Sequence, residues 1–225
     1  MAGPLSVGVL ASGEGTTFEG LAAALAGEPD RARIVVVVSD RPGSRVVERA
    51  RERGIPTLVR PRPGADVDGW ARGLTAELED RRVDLVVLAG FLSILPESWV
   101  DRWHGRAVNL HPSLLPRYGG RGMHGRRVHE AVLAAGDRET GVTIHLVTRD
   151  VDGGPSIDQQ RVPVLAGDTP EILRDRLRPV EVELLAATVR RFADGALPLP
   201  YPGGEARARE PRADADRREA PDRPV

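Results

Sequence analysis

The sequence predicts an α/β fold in which a doubly wound, mostly parallel sheet is flanked by helices. Two observations carry this prediction. Apolar, β-branched runs such as residues 34–39 have the character of interior parallel strands, which are buried on both faces. Segments of helical character alternate with these runs along the first half of the chain, as strand–helix–strand crossovers require.

The first half of the chain alternates predicted strands and helices. Gly54 ends the second helix, because glycine favours the backbone conformation that follows helix C-termini. The strands are predicted at residues 5–11, 34–39, 57–59 and 84–89. The helices are predicted at residues 17–26, 45–53 and 68–80.

The second half changes character and ends in a polar tail. Thr169 is a plausible N-cap, with Pro170 in the first helical position. Residues 203–225 are charged, contain proline and have almost no large apolar side chains, which predicts a disordered tail after one folded domain at 1–202. Strands are predicted at 106–110, 141–147 and 156–164, and helices at 124–135 and 169–191.

Composition excludes several classes of protein. The chain has 225 residues, of which 40% are hydrophobic and 29% charged, as in a soluble globular protein. Neither a membrane helix nor a signal peptide is expected, since no apolar run approaches ~20 residues and the start lacks a basic segment followed by an apolar one. The absence of cysteine excludes disulfides and thiol catalysis and fits a cytoplasmic protein. A net charge of −1 argues against nucleic acid as a partner.

The segment "ASGEGTTF" follows the first predicted strand directly and opens into a helix. Gly13 and Gly15 allow a tight turn, and backbone amides at a helix N-terminus form an anion site. Phe18 occupies the place of the third glycine of a dinucleotide motif, so a phosphate or mononucleotide loop is the most that the segment indicates. Glu14 would repel a phosphate unless it points away. An ordinary strand–helix turn is the alternative.

The segment "AVNLHPSLLP" places an amide and an imidazole at the end of a strand. Asn109 and His111 lie two residues apart, so they share a face that opens on the crevice where α/β folds bind ligands. An amide can donate to an oxyanion, and an imidazole can transfer protons near neutral pH. Pro112 and Pro116 fix the loop that follows, and Leu115–Pro116 is the most plausible cis bond. The alternative is a structural histidine that caps the strand.

The segment "TRDVDGGPSI" offers carboxylates after another strand. Asp150 and Asp152 follow a strand that carries Thr143 and His145 on one face. A carboxylate beside His111 would raise the pKa of that histidine by stabilising the imidazolium. An Asx turn at the start of "DGGP" is the simpler interpretation.

Two other groups of polar residues carry no functional signal by themselves. Arg178 and Glu181 have the i, i+3 spacing of an ordinary helical ion pair. His124 and His129 are five residues apart, which is not the spacing of a helical metal-binding pair, and the chain has no H-E-x-x-H motif. No metal site is therefore predicted. The chain also has no lysine, which excludes Schiff-base chemistry.

Taken together, these motifs resemble the phosphoribosylglycinamide formyltransferases. "NLHPSLLPRYGGRGMHG", "GVTIHLVTRDVDGGPSI", "SGEGTTFEGL", "DLVVLAGFLSIL" and "VPVLAGDTPEIL" occur in the order and spacing of that family. The resemblance spans about residues 5–200. It implies a Rossmann-like formyltransferase domain of purine biosynthesis, in which 10-formyltetrahydrofolate is the cosubstrate and glycinamide ribonucleotide the acceptor. A cytoplasmic monomer or homodimer without metal, nucleic-acid or membrane partners is expected.

The resemblance implies a role for each polar residue near the crevice. Asn109 is expected to hydrogen-bond the formyl oxygen as the carbon becomes tetrahedral, and His111 to act as general acid and oxyanion stabiliser. Asp152 is expected to raise the pKa of His111 and to orient a water for proton transfer. Thr143 is expected to support this network with its hydroxyl.

The resemblance also implies a substrate-binding and a folate-binding region, and the chain differs from the family's sequence pattern at three positions. The family commonly has arginine at Ser93, often a basic residue near Val67 and often histidine at Val182, so the departures concern substrate and folate contacts. The expected substrate contacts are Gly13, Gly15, Thr16, Thr17, Arg178 and Glu181. The expected folate contacts are Leu92, Ser93, Ile94, Leu95, Asn109, Thr148, Asp150 and Asp152.

Four alternative functions remain open at this point. A sugar N-formyltransferase would use the same core on an amino sugar nucleotide. A methionyl-tRNA formyltransferase is expected to carry a further C-terminal domain, and a formyltetrahydrofolate deformylase a domain before the first strand, which here begins by Leu5. A non-catalytic nucleotide-binding module would need the phosphate loop without Asn109, His111 and Asp152.

Overall fold

A computed structural model describes residues 3–202, and the predicted tail at 203–225 lies outside the described residues. The strands are β1 (Leu5–Leu10), β2 (Ala32–Ser39), β3 (Thr57–Val59), β4 (Leu85–Leu88), β5 (Ala107–His111), β6 (Glu139–Leu146) and β7 (Ser156–Pro163). The helices are α1 (Thr16–Leu25), α2 (Arg45–Glu52), α3 (Val67–Asp80), α4 (Glu97–Arg102), α5 (Arg126–Ala134) and α6 (Pro170–Ala193).

The seven strands form one sheet in the order β3-β2-β1-β4-β5-β6-β7. The first five are parallel, and β6 and β7 add antiparallel pairs. The predicted α/β fold with a mostly parallel sheet is confirmed. Because the chain moves outward from β1 in one direction and from β4 in the other, the topological switch point lies between these two strands. Ligands bind in such folds outside the carboxyl ends of the strands at this point.

Apolar side chains cover both faces of the sheet. On one face, Phe18 and Leu21 of α1 pack in the same cluster as Leu177 and Leu185 of α6. The other face is covered by α3 and α4. All three tryptophans lie in this second cluster, and the rings of Trp99 and Trp103 stack with their centroids 5.9 Å apart.

One helix was not predicted, and several observed boundaries differ from the predicted ones. Helix α4 was not predicted, because six residues are too few to show a helical period. Helix α5 begins at Arg126 instead of residue 124, since Gly125 has a positive φ of 57°. Helix α6 extends to Ala193 and contains Pro179 in its interior.

The beginning of α6 follows its prediction. The Thr169 hydroxyl accepts a hydrogen bond from the Ile172 N–H at 3.3 Å, and Pro170 occupies the first turn. This cap satisfies one of the free N–H groups of the helix. Within residues 3–202, none of the helices, α6 included, combines the length and apolar character needed to cross a membrane.

Gly20→Ala is expected to destabilise the protein, because a Cβ at this position of α1 would lie 2.3 Å from Cγ2 of Val182 on α6. Overpacking of this kind typically costs about 1–3 kcal/mol in the free energy of unfolding. Gly73→Ala in α3 is the matched control, since its Cβ would meet nothing closer than the flexible Arg60 at 3.4 Å. That change should stabilise by up to ~1 kcal/mol through helix propensity. Urea unfolding measures both, and equal effects would contradict the close packing of α1 on α6.

Candidate active site

A cavity of about 580 Å³ opens at the carboxyl edge of the sheet, beside the switch point. It is walled by segments that follow β4, β5 and β6 and by parts of α1, α5 and α6. One wall is largely apolar and includes Leu88, Leu92, Ile94, Leu95, Val100 and Val147. The remaining walls carry polar groups, including Thr16, Thr17, Asn109, His111, His145, Asp152, Arg178 and Glu181.

His111 and Asp152 meet in this cavity, although 41 positions separate them in the sequence. His111 ends β5, is only 4% exposed, and its Nδ1 lies 3.5 Å from Oδ2 of Asp152. The loop after β5 contacts both residues. The carbonyl of Tyr118 lies 2.8 Å from Nε2 of His111, and the Gly120 N–H donates to Oδ2 of Asp152 at 2.9 Å. The glycine-rich part of this loop therefore holds the carboxylate in place.

Asp152 has an unusual backbone. Its φ is 55°, in the left-handed region that non-glycine residues rarely adopt. The Gly153 N–H donates to the carbonyl of Asp150 at 3.0 Å and closes the turn around it. Such conformations cost free energy and cluster at functional sites, where neighbouring structure maintains them. Here the turn directs the Asp152 carboxylate towards His111 and Asn109.

The surroundings favour the neutral form of His111 and the ionised form of Asp152. Burial lowers the pKa of His111 below its ordinary value of 6.5 and outweighs the opposing effects of Asp152 and the Tyr118 carbonyl. Burial also opposes ionisation of Asp152, but its contacts with His145, His111 and the Gly120 N–H together lower its pKa. The Asp152 charge raises the pKa of His111, as expected, but burial lowers it by more. At neutral pH a neutral imidazole faces a carboxylate.

Asn109 is oriented by His145, a residue to which the sequence assigned no role. In the β5–β6 pair, Asn109 lies opposite His145 and His111 opposite Thr143. His145 Nδ1–H donates to the carbonyl of Leu146 at 2.9 Å, which leaves Nε2 to accept from the Asn109 amide at 2.9 Å. The same Nδ2 lies 3.3 Å from Oδ1 of Asp152. The signal in the sequence was the matching pair N-x-H and T-x-H on neighbouring antiparallel strands.

Thr143 supports the site through the loop after β5. Its hydroxyl donates to the Ser113 carbonyl at 2.6 Å and accepts from the Leu115 N–H at 3.1 Å. Its hydroxyl holds the proline-containing segment of the loop that contacts His111 and Asp152. The bond Leu115–Pro116 in this segment is cis, as the sequence suggested.

The glycines of "ASGEGTTF" shape the turn before α1. Gly15 has φ 72°, and a Cβ there would lie 2.7 Å from the Val46 side chain. Only glycine fits this position, for both reasons. The carbonyl of Gly13 accepts from the Val46 N–H at 3.1 Å. Gly13 and Gly15 thus set the backbone geometry, and the cavity wall itself is formed by Thr16 and Thr17.

Glu14, whose carboxylate would repel a bound phosphate, points away from the cavity. Its side chain is 69% exposed and lies 3.8 Å from Arg45. The free N–H groups at the start of α1 therefore face a site without a neighbouring carboxylate from this turn. This arrangement suits an anion.

Glu181 is buried in the wall of the cavity. It is 8% exposed, and the Thr17 hydroxyl donates to its Oε2 at 3.2 Å. Burial raises its pKa to about 6, against the hydrogen bond from Thr17 and the charge of Arg178. Arg178 forms its ion pair with Asp175, at 3.3 Å, and not with Glu181 as the helical spacing allowed. Both side chains remain in the cavity wall.

Glu181→Gln is expected to stabilise the protein above about pH 6. Because the pKa of the buried carboxyl is raised from 4.5 to about 6, the wild type loses stability as pH rises through this interval. The neutral amide does not ionise and has no such loss. Above about pH 6 the free energy of unfolding of the variant should therefore gain on the order of 2 kcal/mol relative to the wild type. Urea unfolding at about pH 4 and pH 8 measures it. A variant whose advantage over the wild type does not grow with pH would contradict the raised pKa.

The predicted folate residues all line the cavity. The segment after β4 is anchored by the Leu92 N–H, which donates to Oγ of Ser12 at 2.8 Å, and by Ser93, which donates to Oδ2 of Asp40 at 2.5 Å. Leu92 and Ile94 are exposed apolar side chains, at 38% and 41%. Such surface is available to an aromatic ligand. The remaining predicted contacts in this wall are Leu95, Thr148, Asp150 and Asp152.

His129 on α5 is a second cavity residue to which the sequence assigned no role. It is 2% exposed, and its Nδ1 has no hydrogen-bond partner among residues 3–202. Burial lowers its pKa to about 4, so the ring is neutral at physiological pH. His124, five residues before it, also lines the cavity. No group of three residues suited to hold a metal ion occurs among the described residues.

Comparison with known families decides the relationship. The profile of the family described as "Formyl transferase" matches residues 5–189. The chain belongs to the formyl transferase family. The matched segment of this family member contains every residue of the cavity named above.

Individual relatives refine this relationship. The phosphoribosylglycinamide formyltransferase of Escherichia coli K12 is 35% identical over 196 residues, which cover 87% of this chain and 90% of the relative. The protein of that name from Mycobacterium tuberculosis is 41% identical, over 84% of this chain and 86% of the relative. The chain also resembles "Trifunctional purine biosynthetic protein adenosine-3" of Gallus gallus at 38% identity, but spans only 19% of that protein's length.

Solved structures share the fold of this family member. The phosphoribosylglycinamide formyltransferase of Coxiella burnetii superposes with a TM-score of 0.79 at 35% identity, over 86% of this chain and 89% of that one. A formyltetrahydrofolate deformylase of Pseudomonas putida KT2440 superposes with a TM-score of 0.74 at 26% identity, over 85% of this chain and 66% of that one. The fold is therefore common to formyl transfer and formyl hydrolysis, and function depends on the site.

Proposed function

We propose that the protein transfers the formyl group of 10-formyltetrahydrofolate to the primary amine of glycinamide ribonucleotide. One observation carries the proposal. A single cavity is lined both by Asn109, His111 and Asp152 and by Thr16, Thr17 and Glu181 beside the α1 N-terminus. This supports the proposal, because formyl transfer needs an acyl-transfer centre within reach of an anion site. Relatives named phosphoribosylglycinamide formyltransferase, aligned over most of both chains, support it.

The ribonucleotide is held at the α1 end. The free backbone N–H groups around Thr16 and Thr17 receive the phosphate, as helix N-termini do for anions. Glu181 accepts hydrogen bonds from ribose hydroxyls, and Arg178 adds positive charge beside the phosphate. A bound anion and diol together fix the amine at the other end of the cavity, so the reaction gains from proximity.

The chemical step uses the neutral state of His111. The amine nitrogen forms a bond to the formyl carbon, and the carbonyl electron pair moves to oxygen. The Asn109 amide keeps its hydrogen bond to His145 and gives up the longer one to Asp152. The N–H that is released in this way donates to the oxyanion. His111 accepts a proton from the attacking nitrogen and returns it to the folate nitrogen as the old C–N bond breaks. Asp152 stabilises the imidazolium between these two transfers.

The folate lies against the apolar wall formed by the segment after β4. Leu92, Ile94 and Leu95 contact the flat ring system, and Thr148 to Asp152 form the opposite side. All of these residues belong to one chain, so the proposed site is complete in either a monomer or a homodimer. The absence of cysteine fits action in the reducing cytosol.

A spectroscopic assay that follows release of tetrahydrofolate tests the acceptor. Glycinamide ribonucleotide, an amino sugar nucleotide and water alone are compared at equal folate concentration. The proposal expects turnover that depends on glycinamide ribonucleotide. Turnover with the amino sugar nucleotide and none with glycinamide ribonucleotide would assign the chain to a sugar N-formyltransferase.

A further inference from the structure

We propose that Gln159, on strand β7, is a positioning residue for the His111–Asp152 pair, acting through the loop after β5. This inference rests on the proposed function for its kinetic readout. It stands on the geometry of three neighbouring strands, in which His111, Thr143 and Gln159 occupy one row across β5, β6 and β7. The row connects the outermost strand of the sheet to the reacting groups.

Gln159 holds the loop at two points. Its Nε2 donates to Oγ1 of Thr143 at 2.9 Å and to the Leu115 carbonyl at 3.2 Å. The Thr143 hydroxyl in turn donates to the Ser113 carbonyl and accepts from the Leu115 N–H. One amide and one hydroxyl thus satisfy three backbone groups of the segment Ser113–Leu115. Within the loop, the Ser113 hydroxyl also donates a hydrogen bond to the Arg117 carbonyl at 2.8 Å.

The held loop contacts both members of the pair. Beyond the anchored segment, the Tyr118 carbonyl lies against His111 and the Gly120 N–H against Asp152. Tyr118 itself has φ 58°, and its hydroxyl donates to Oδ2 of Asp137 at 2.7 Å. A shift of the loop therefore displaces the partners of His111 and Asp152 together. Displacements of about 1 Å are sufficient to slow a reaction that depends on near-attack geometry.

Gln159→Leu tests the proposal, because it removes the amide and keeps the approximate size. Gln160→Leu is the matched control. Gln160 is the adjacent residue on the opposite face of β7, and among residues 3–202 its side chain hydrogen-bonds only the Arg161 carbonyl, at 3.4 Å. Gln159 is exposed, so its loss is not expected to unfold the protein. Thermal unfolding of each variant verifies this, and the shorter Gln159→Asn serves if Gln159→Leu is unstable.

The expected result is a fall in kcat of about fivefold for Gln159→Leu, with KM for both substrates within about twofold and Gln160→Leu unchanged. Thr143→Val should have a larger effect, Thr143→Ser should restore most of it, and the Gln159→Leu/Thr143→Val double variant should resemble Thr143→Val alone. This non-additivity follows if both side chains act on one loop. Equal kcat in Gln159→Leu and Gln160→Leu, or fully additive effects, would overturn the proposal.

A second readout needs no substrate. The ring resonances of His111, assigned with His111→Gln, are titrated by NMR in the resting protein. Asp152, His145 and His129 face this ring and are unchanged in the variant. Burial, the Asp152 charge and the Tyr118 carbonyl together set the His111 midpoint, and the loop holds the last two groups, so a displaced loop should move this midpoint in Gln159→Leu and not in Gln160→Leu. An unchanged midpoint would contradict the proposal. If the wild type does not formylate glycinamide ribonucleotide, the function fails and this titration still decides the role of Gln159.

Discussion

Asp152→Asn is expected to lower kcat by about 100-fold or more, with little change in KM for glycinamide ribonucleotide. The amide keeps the shape of the carboxylate and its bond from Gly120, but it cannot stabilise the imidazolium that His111 becomes during proton transfer. Positioned acid–base groups contribute about 100-fold or more to rates of this kind. Steady-state kinetics with both substrates measures the loss. Asp80→Asn, which removes an exposed carboxylate at the end of α3, is the control for charge alone.

The same variant should move the pH dependence of kcat. His111 must be neutral to accept the proton, so kcat rises as pH increases through its pKa, which lies below 6.5. Because the Asp152 charge raises that pKa, its removal should move this acidic limb to lower pH. A limb at the same pH in wild type and Asp152→Asn would contradict the assigned role of the carboxylate.

Asn109→Ala is expected to reduce kcat by about 100-fold as well, because the oxyanion loses its amide donor. The loss should appear in kcat more than in KM, since the interaction strengthens only as the formyl carbon becomes tetrahedral. His145→Ala should have a smaller effect, because His145 acts on the reacting atoms through Asn109 and Asp152 and not directly. Near wild-type turnover in Asn109→Ala would remove this residue from the mechanism.

The sequence was sufficient for the sheet and for the location of the crevice. Runs such as residues 34–39 are apolar on both faces, which is characteristic of interior parallel strands, and the polar Asn109 and His111 follow one of them. Helix α4 was missed because its six residues have no measurable period. The beginning of α5 was misplaced because Gly125 continues the loop with a positive φ.

Long-range pairing explains what the sequence could not supply. That Asp152 lies beside His111 came from family resemblance, since no local spacing connects two loops so far apart. His145 acquires its contact with Asn109 only through the register of β5 against β6. Gln159 is connected to the site through one further strand. The predicted effect of Asp152 on the pKa of His111 has the expected sign, but the burial that opposes it depends on the same long-range packing and could not be predicted.

The burial of Glu181 illustrates the same limit. Its i, i+3 spacing from Arg178 is that of a common surface pair, whereas in the structure the carboxyl is enclosed beneath Thr17 and α1. Packing of α1 on α6, through the close contact of Gly20 with Val182, produces this enclosure. A pattern on one helix cannot reveal which neighbour covers it.

Transfer of an isotopic label tests the central claim most directly. Formyl folate carrying ¹³C in the formyl group is incubated with the enzyme and glycinamide ribonucleotide, and the labelled carbon is located by NMR and mass spectrometry. The account predicts that the label enters an N-formyl amide of the ribonucleotide, and that Asn109→Ala and Asp152→Asn slow its appearance. Recovery of the label as free formate, with the ribonucleotide unmodified, would contradict it and indicate a hydrolase.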